Sequence, residues 1–111
     1  MYLMGEGVKQ DYQEFIKWTI IAAEQGNARA QYNLGYSYYS GEGLKQDYQE
    51  AFNWYKKAAE QGHMLSQHNL GLMYYDGEGV KQDLQEALRW MEKSAAQGYD
   101  SAKAFLYDHK K

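Results

Sequence analysis

"GEGVKQDYQE" at residues 5–14 returns as "GEGLKQDYQE" at 41–50 and as "GEGVKQDLQE" at 77–86, a spacing of 36 residues each time. A catalytic motif is needed once, whereas a structural joint is needed wherever an architecture repeats, so the period is read before any local motif. Aligned at that period, the copies share much more than the decamer. Trp18, Trp54 and Trp90 coincide, as do Ala23, Ala59 and Ala95, the dipeptides Gln25-Gly26, Gln61-Gly62 and Gln97-Gly98, and Leu34, Leu70 and Leu106. Each unit therefore holds two helix-sized segments punctuated by glycine.

The middle unit shows how the segments fold. Tyr48, Ala51, Trp54 or Tyr55, Ala58 and Ala59 recur at helical spacing and predict one buried stripe. Asp47 with Glu50 three residues on predicts a capping box, the Asp side chain accepting an orphan amide and the Glu reaching back to the cap amide. Asp11 with Glu14 and Asp83 with Glu86 repeat the pattern. Gly62 supplies the left-handed stop. A second helix is predicted over about residues 64–75, with Leu70 and Tyr74 inward and Gly71 where a neighbouring helix presses closest. Gly77 and Gly79 turn the chain into the next cap. On this reading the decamer is a joint.

The stretch "AQYNLGYSYYSGEGLKQDYQEAFNWYKKAAEQG", residues 30–62, resembles a Sel1-like repeat, a relative of the tetratricopeptide repeat. The resemblance covers nearly the whole chain: a partial unit at 1–27, units at 28–63 and 64–99, and a C-terminal capping helix at 100–111, together one domain. It implies an all-α right-handed solenoid of paired antiparallel helices that binds other proteins as a scaffold or adaptor, without catalysis. Some cysteine-rich members of the family bind or cleave penicillin, which raises that activity as the alternative, with a purely self-associating repeat fragment as a third reading. That subgroup staples its helix pairs with cysteines, and this chain has none.

Composition narrows the chemistry. Without cysteine there is no disulfide, thiolate zinc site or thiol nucleophile. Lys and Arg total 12 against 15 Asp and Glu, with no basic stripe to neutralise phosphates, so nucleic acid is not an expected partner. The mean hydropathy is −0.85 and no long apolar run or secretory signal appears, so no membrane is expected and the chain reads as soluble and cytoplasmic, or periplasmic or secreted if sequence precedes it. The Gly-Glu-Gly joint lacks the Gly-Lys-Ser/Thr of a phosphate loop. His63 and His68, five residues apart, are poorly spaced to share a metal on one helix face. No cofactor or metal is expected, and the three tryptophans read as packing groups.

The informative positions are those that vary while the scaffold repeats. In paired-helix solenoids the first helix of each unit lines the concave face. With Leu34-Gly35 and Leu70-Gly71 set inward, the opposite stripe carries Arg29, Tyr32, Tyr36 and Tyr39 in one unit and Leu65, His68, Leu72 and Tyr75 in the next. Tyrosine offers large contact area at small entropic cost, so these eight residues form the expected protein- or peptide-binding surface. The competing reading is that some of the tyrosines pack between neighbouring first helices. Both ends depart from the pattern. Phe15 replaces Ala51, and Ile20-Ile21 replace Lys56-Lys57, which predicts a self-association surface on Phe15, Ile20 and Ile21 and a homodimer through the N-terminal helix. Tyr107 replaces the packing glycine, and the C-terminus reads as a polar cap.

Overall fold

The computed structural model describes residues 6–109, with side chains from Tyr12 onward. Six helices follow in order: α1 (Glu6–Glu24), α2 (Ala28–Ser40), α3 (Tyr48–Glu60), α4 (Met64–Asp76), α5 (Leu84–Ala96) and α6 (Asp100–His109). No strand occurs among the described residues. Packing is extensive only between helices adjacent in sequence, so α2–α3 and α4–α5 are two complete helix pairs. α1 is a second-type helix and α6 a first-type helix. The radius of gyration is 15.3 Å, against about 13 Å for a compact chain of this length. The extents of 50 × 27 × 24 Å show the same elongation. No described helix is long and apolar enough to cross a membrane.

The core is a row of small clusters, each shared between units. Ala59 of one unit is buried with Leu70 and Trp90 of the next, and Ala23 meets Ala30, Leu34 and Trp54 of the unit after it in the same way. Leu70 is fully buried, worth about 1.5–3 kcal/mol. Glutamines lock the same seams. Gln61 Nε2 donates to the Gly26 carbonyl at 2.9 Å and to Gln31 Oε1 at 2.8 Å, while Gln31 Nε2 donates to the Ala23 carbonyl. Gln97, Gly62, Gln67 and Ala59 repeat the arrangement one unit later.

The joints are built from helix ends. α3 closes in a Schellman motif, His63 N–H bonding to the Ala58 carbonyl and Gly62 N–H to that of Ala59. Gly62 sits at φ +93°, a region other residues avoid. Asp47 caps α3 by accepting from Glu50 N–H at 3.1 Å, and Asp83 caps α5 likewise from Glu86 N–H. The reciprocal half of the expected capping box does not form. The Asp47 amide donates instead to the Tyr38 carbonyl at 2.9 Å, and Gln46 Nε2 donates to the Tyr39 carbonyl at 2.8 Å. The last carbonyls of α2 lack intrahelical donors, and the joint folds back to supply them. Asp83 on Tyr74 and Gln82 on Tyr75 do the same for α4.

The first copy differs. The described span of α1, Glu6–Glu24, includes Asp11, so the backbone of Asp11 is inside the helix rather than at the expected N-cap position, and its side chain lies outside the described ones. In the later copies the looped form is held by carbonyls at the end of the preceding helix. The matching positions are 2 and 3, outside the described residues. The same letters here continue the helix, as the helix-favouring Lys-Gln segment allows.

Candidate functional site

α2 and α4 lie on one side of the molecule without packing extensively on each other. Between them opens a cleft of about 200 Å³ lined by Tyr36, Tyr39, Tyr55, Asn69, Leu72 and Met73. Tyr55 reaches this space from α3 because Gly35 lets its ring lie flat on α2: a Cβ at Gly35 would stand 2.8 Å from Tyr55 Cδ1. Tyr55 is 2% exposed and forms the floor, while Tyr36, 44% exposed, forms the rim. The volume is below the range of about 300–1,000 Å³ that holds a whole small-molecule ligand. It matches one inserted side chain.

The walls are uncharged at neutral pH. Burial pushes the Tyr55 phenol up, against a smaller opposing effect of its hydrogen bond with Asn69. Tyr39 is pushed up to about 12 by burial and by its bond to Glu78, whose Oε1 accepts from the hydroxyl at 2.8 Å. Its ring also stacks on Tyr48 at 5.0 Å. The Tyr39 and Tyr55 hydroxyls are therefore protonated hydrogen-bonding groups at neutral pH.

Of the eight stripe residues, the fold brings Tyr36, Tyr39 and Leu72 into the cleft. Tyr32 packs between Tyr55 and His63, with ring centroids 5.8 and 5.0 Å away. His68 stands edge-on to Tyr99 at 5.1 Å, and burial holds its pKa below the usual value. Tyr75 packs on Phe105 and His109, its hydroxyl 3.2 Å from His109 Nε2. Arg29 is exposed and Leu65 half-buried, neither of them lining the cleft. Tyr55, Asn69 and Met73 line it without belonging to the expected stripe. For Tyr55 a signal existed: a bulky residue 20 positions after a glycine, repeated as Gly71 and Met91.

The N-terminal surface also differs from expectation. Phe15 is 49% and Ile21 37% exposed. Ile20 is half-buried and packs on the Ala23–Ala30–Leu34 cluster, because its position on α1 faces α2. It is therefore a core residue of this seam and not part of an open association surface. Trp18, expected to pack, is 61% exposed.

The Sel1 repeat model matches residues 1–27, 28–63 and 65–99. A Sel1 repeat protein of Oxalobacter formigenes is 44% identical with TM-score 0.83, over 84% of this chain and 70% of that one. The protective antigen c5321 of uropathogenic Escherichia coli is 45% identical with TM-score 0.85, over 87% of this chain but only 21% of its own. Cysteine-rich protein B of Helicobacter pylori is 26% identical with TM-score 0.80, over 85% of this chain and 71% of that one. None of the curated proteins compared matches the sequence. Three matched repeats, six helices in solenoid order and these neighbours agree: the chain belongs to the Sel1 repeat family.

Proposed function

We propose that the chain binds a protein or peptide partner by taking one apolar side chain into the Tyr36–Tyr39–Leu72 cleft. Sel1 repeat proteins generally serve as protein-interaction scaffolds and are typically non-enzymatic. The observation that carries the finer reading is the cleft itself: side-chain sized, aromatic and uncharged, with Asn69 as a polar group to fix orientation. A partner segment crossing the face of α2 and α4, the expected concave side, would bury Tyr36 and Leu72 together. Aromatic anchors in desolvated pockets carry most of the energy of such interfaces.

Peptides selected from a random displayed library on the whole chain, then measured by calorimetry, test this reading. Tyr36→Ala and Leu72→Ala should each weaken the selected peptides by about 2 kcal/mol. Lys56→Ala, on the exposed side of α3, should leave them unchanged. Equal losses at all three positions, or no enriched peptide, would refute the cleft as the site.

A further inference from the structure

The cleft between α2 and α4 has one charged edge, and a joint supplies it. Tyr39, in the last turn of α2, lines the cleft and donates its hydroxyl to Glu78 Oε1 at 2.8 Å. Glu78 is the half-buried middle residue of the Gly77-Glu78-Gly79 joint, and its backbone is fixed on both sides. The Gly77 and Glu78 amides donate to the Met73 carbonyl at 2.8 and 3.0 Å. A Cβ at Gly79 would collide with the Tyr48 carbonyl. In the preceding joint the glutamate recurs as Glu42, but Tyr12 donates there to the backbone carbonyl, at 3.3 Å, rather than to the carboxylate. Glu78 is thus a joint residue whose carboxylate has been carried to the cleft wall.

Negative charge gathers at this edge without an answering cation. Asp76 ends α4 and is exposed; behind burial and Glu78, it also helps hold the Tyr39 phenol protonated. α2 and α4 both end here, and a helix C-terminus carries partial negative charge. α3 and α5 answer theirs with Lys57 and Lys93 in the last turn, whereas α2 and α4 have no basic residue in theirs. The ion pair among the described residues is Arg89 with Glu86, so none of their cations pairs with Asp76 or Glu78. Arg29 is the only Lys or Arg on α2 and α4, ten residues before Tyr39. That is about 15 Å along the helix, beyond the screening length of about 8 Å in physiological salt.

We infer that the occupant of the cleft is a basic peptide segment, in which the inserted apolar side chain is accompanied within two residues by a lysine or arginine that lies against Glu78 and Asp76. This rests on the cleft reading and adds the partner's charge to it. An extended segment places same-face side chains two residues, about 7 Å, apart, so one can enter the cleft while the next reaches its Tyr39 edge. Tyr39 holds one oxygen of Glu78, which orients the carboxylate and leaves the other oxygen to accept from the incoming cation. Hydrogen bonds between ionised partners are about twice as strong as neutral ones. An acidic or phosphorylated segment would meet like charge here, which excludes it as surely as the cation is attracted.

Calorimetry with library-selected peptides on the full chain tests it. Each peptide is paired with a twin in which arginine becomes citrulline, or lysine becomes acetyl-lysine, so that only the charge is lost. On wild type the twin should bind about tenfold more weakly in low salt, and the gap should narrow in high salt. On Glu78→Gln/Asp76→Asn, which keeps both side-chain shapes and an acceptor for Tyr39, the twins should agree within about twofold. Tyr36→Ala should weaken both twins alike, which reads the cleft separately from its charge. Should the double variant fail to fold by circular dichroism, Asp76→Asn alone should remove about two- to threefold of the preference, as for an exposed charge pair. Peptides that need Tyr36 but carry no basic residue, or twins that bind wild type equally, overturn this inference and leave the cleft standing. A charge preference that survives both substitutions overturns the assignment to Glu78 and Asp76. Indifference to Tyr36, or no enriched peptide, overturns the cleft and this inference together. A dimer in sedimentation that the peptides disperse would make a second copy the occupant, and that too overturns it.

Discussion

Gly35→Ala probes the closest approach between two helices of one unit. The new methyl would stand 2.8 Å from Tyr55 Cδ1, 2.9 Å from Cε1 and 3.1 Å from Cγ, where ordinary contact begins near 3.4 Å. The ring cannot swing aside cheaply, because Tyr55 is 2% exposed and Tyr32 packs against it at 5.8 Å. Overpacking of a well-filled core costs about 1–3 kcal/mol. Alanine in a helix interior returns about 1 kcal/mol relative to glycine. With a contact 0.6 Å short of ordinary and an immobile neighbour, the upper half of the range applies, and the net loss should be about 1–2 kcal/mol. For a chain of this size that lowers Tm by about 4–8 °C. Gly71→Ala should cost less, since its methyl meets nothing closer than 3.1 Å: Met91 Cε at 3.1 Å and Cγ at 3.2 Å, which a bending thioether chain can relieve, and the Ala87 carbonyl oxygen at 3.2 Å, which stays and sets the remaining cost.

The comparison supplies its own control. Tyr55→Met puts the side chain of the third unit opposite Gly35, so Gly35→Ala in that background should be cheaper by about 1 kcal/mol, a coupling typical of residues in contact. Thermal and urea melts of the four proteins in the cycle measure it. An unchanged or raised Tm for Gly35→Ala would refute the reasoning. Equal costs in the two backgrounds would show that the ring is not what resists the methyl.

Two further outcomes follow from the joints. Gly79→Ala should cost at least about 2 kcal/mol, because left-handed geometry and a backbone collision add: Gly79 lies at φ +74° and its Cβ would reach Tyr48 C at 2.7 Å. Gly62→Ala, at φ +93° with nothing within 4 Å, should show the conformational part alone in urea titrations, about 1 kcal/mol, and the reverse order would contradict this account. His63 caps α4 through Nδ1, which accepts from Ser66 N–H at 3.3 Å, and burial and then Arg29 hold its pKa below the ordinary 6.5. Its folded value lies below its unfolded one, so its contribution is complete above pH 6.5 or so and is lost as pH falls toward and through the folded value. His63→Asn copies Asn27, which accepts from Ala30 N–H at 2.8 Å, and should remain a cap in acid. The variant should gain about 0.5–1 kcal/mol at pH 5 relative to pH 7.5, with His68, shifted the same way, keeping some acid sensitivity in both proteins. An equally steep acid loss in the variant would rule out the cap as its source.

The period alone specified the helix pairs, because caps, glycines and apolar stripes recur in one register and each has a local cause. Failures came where a residue's partner lies in another unit. Asp47 looked like half of a closed box, yet its amide serves the Tyr38 carbonyl of the preceding helix, a pairing that local spacing does not encode. Gln31 and Gln67 carried no helical or capping signal, although each accepts from a glutamine 30 residues away. Trp18 stands in register with Trp54 and Trp90 yet is 61% exposed where Trp90 is 6%, because a tryptophan here is buried by residues of other helices, which its own position in the repeat does not encode. The cleft was half legible for a similar reason. Tyr36, Tyr39 and Leu72 follow from the face opposite the anchors, whereas Tyr55 enters from the other helix, through the space that a glycine leaves.

The two seams of the solenoid show why the binding reading falls on one cleft rather than on every repeat. Moving each lining residue forward by 36 converts Tyr36 to Leu72, Tyr39 to Tyr75, Tyr55 to Met91, Asn69 to Phe105, Leu72 to Asp108 and Met73 to His109. Backbone architecture is unchanged, with the same helix lengths in the second-type position and the same glycine at the contact. The side chains now fill the space themselves. Phe105 stacks on His109 at 4.1 Å, and both stand edge-on to Tyr75, at 5.2 and 4.9 Å. In the first seam the position of Phe105 holds the short, polar Asn69, hydrogen-bonded to Tyr55, and the aromatic surface of Tyr36 stays 44% open to solvent. One scaffold thus makes a self-sealed seam and an open one by changing the side chains at five of six lining positions, the exchange of Asn69 for Phe105 among them. The repeated residues hold the units in register, and the chemistry available to a partner rests on the few positions at which the units differ.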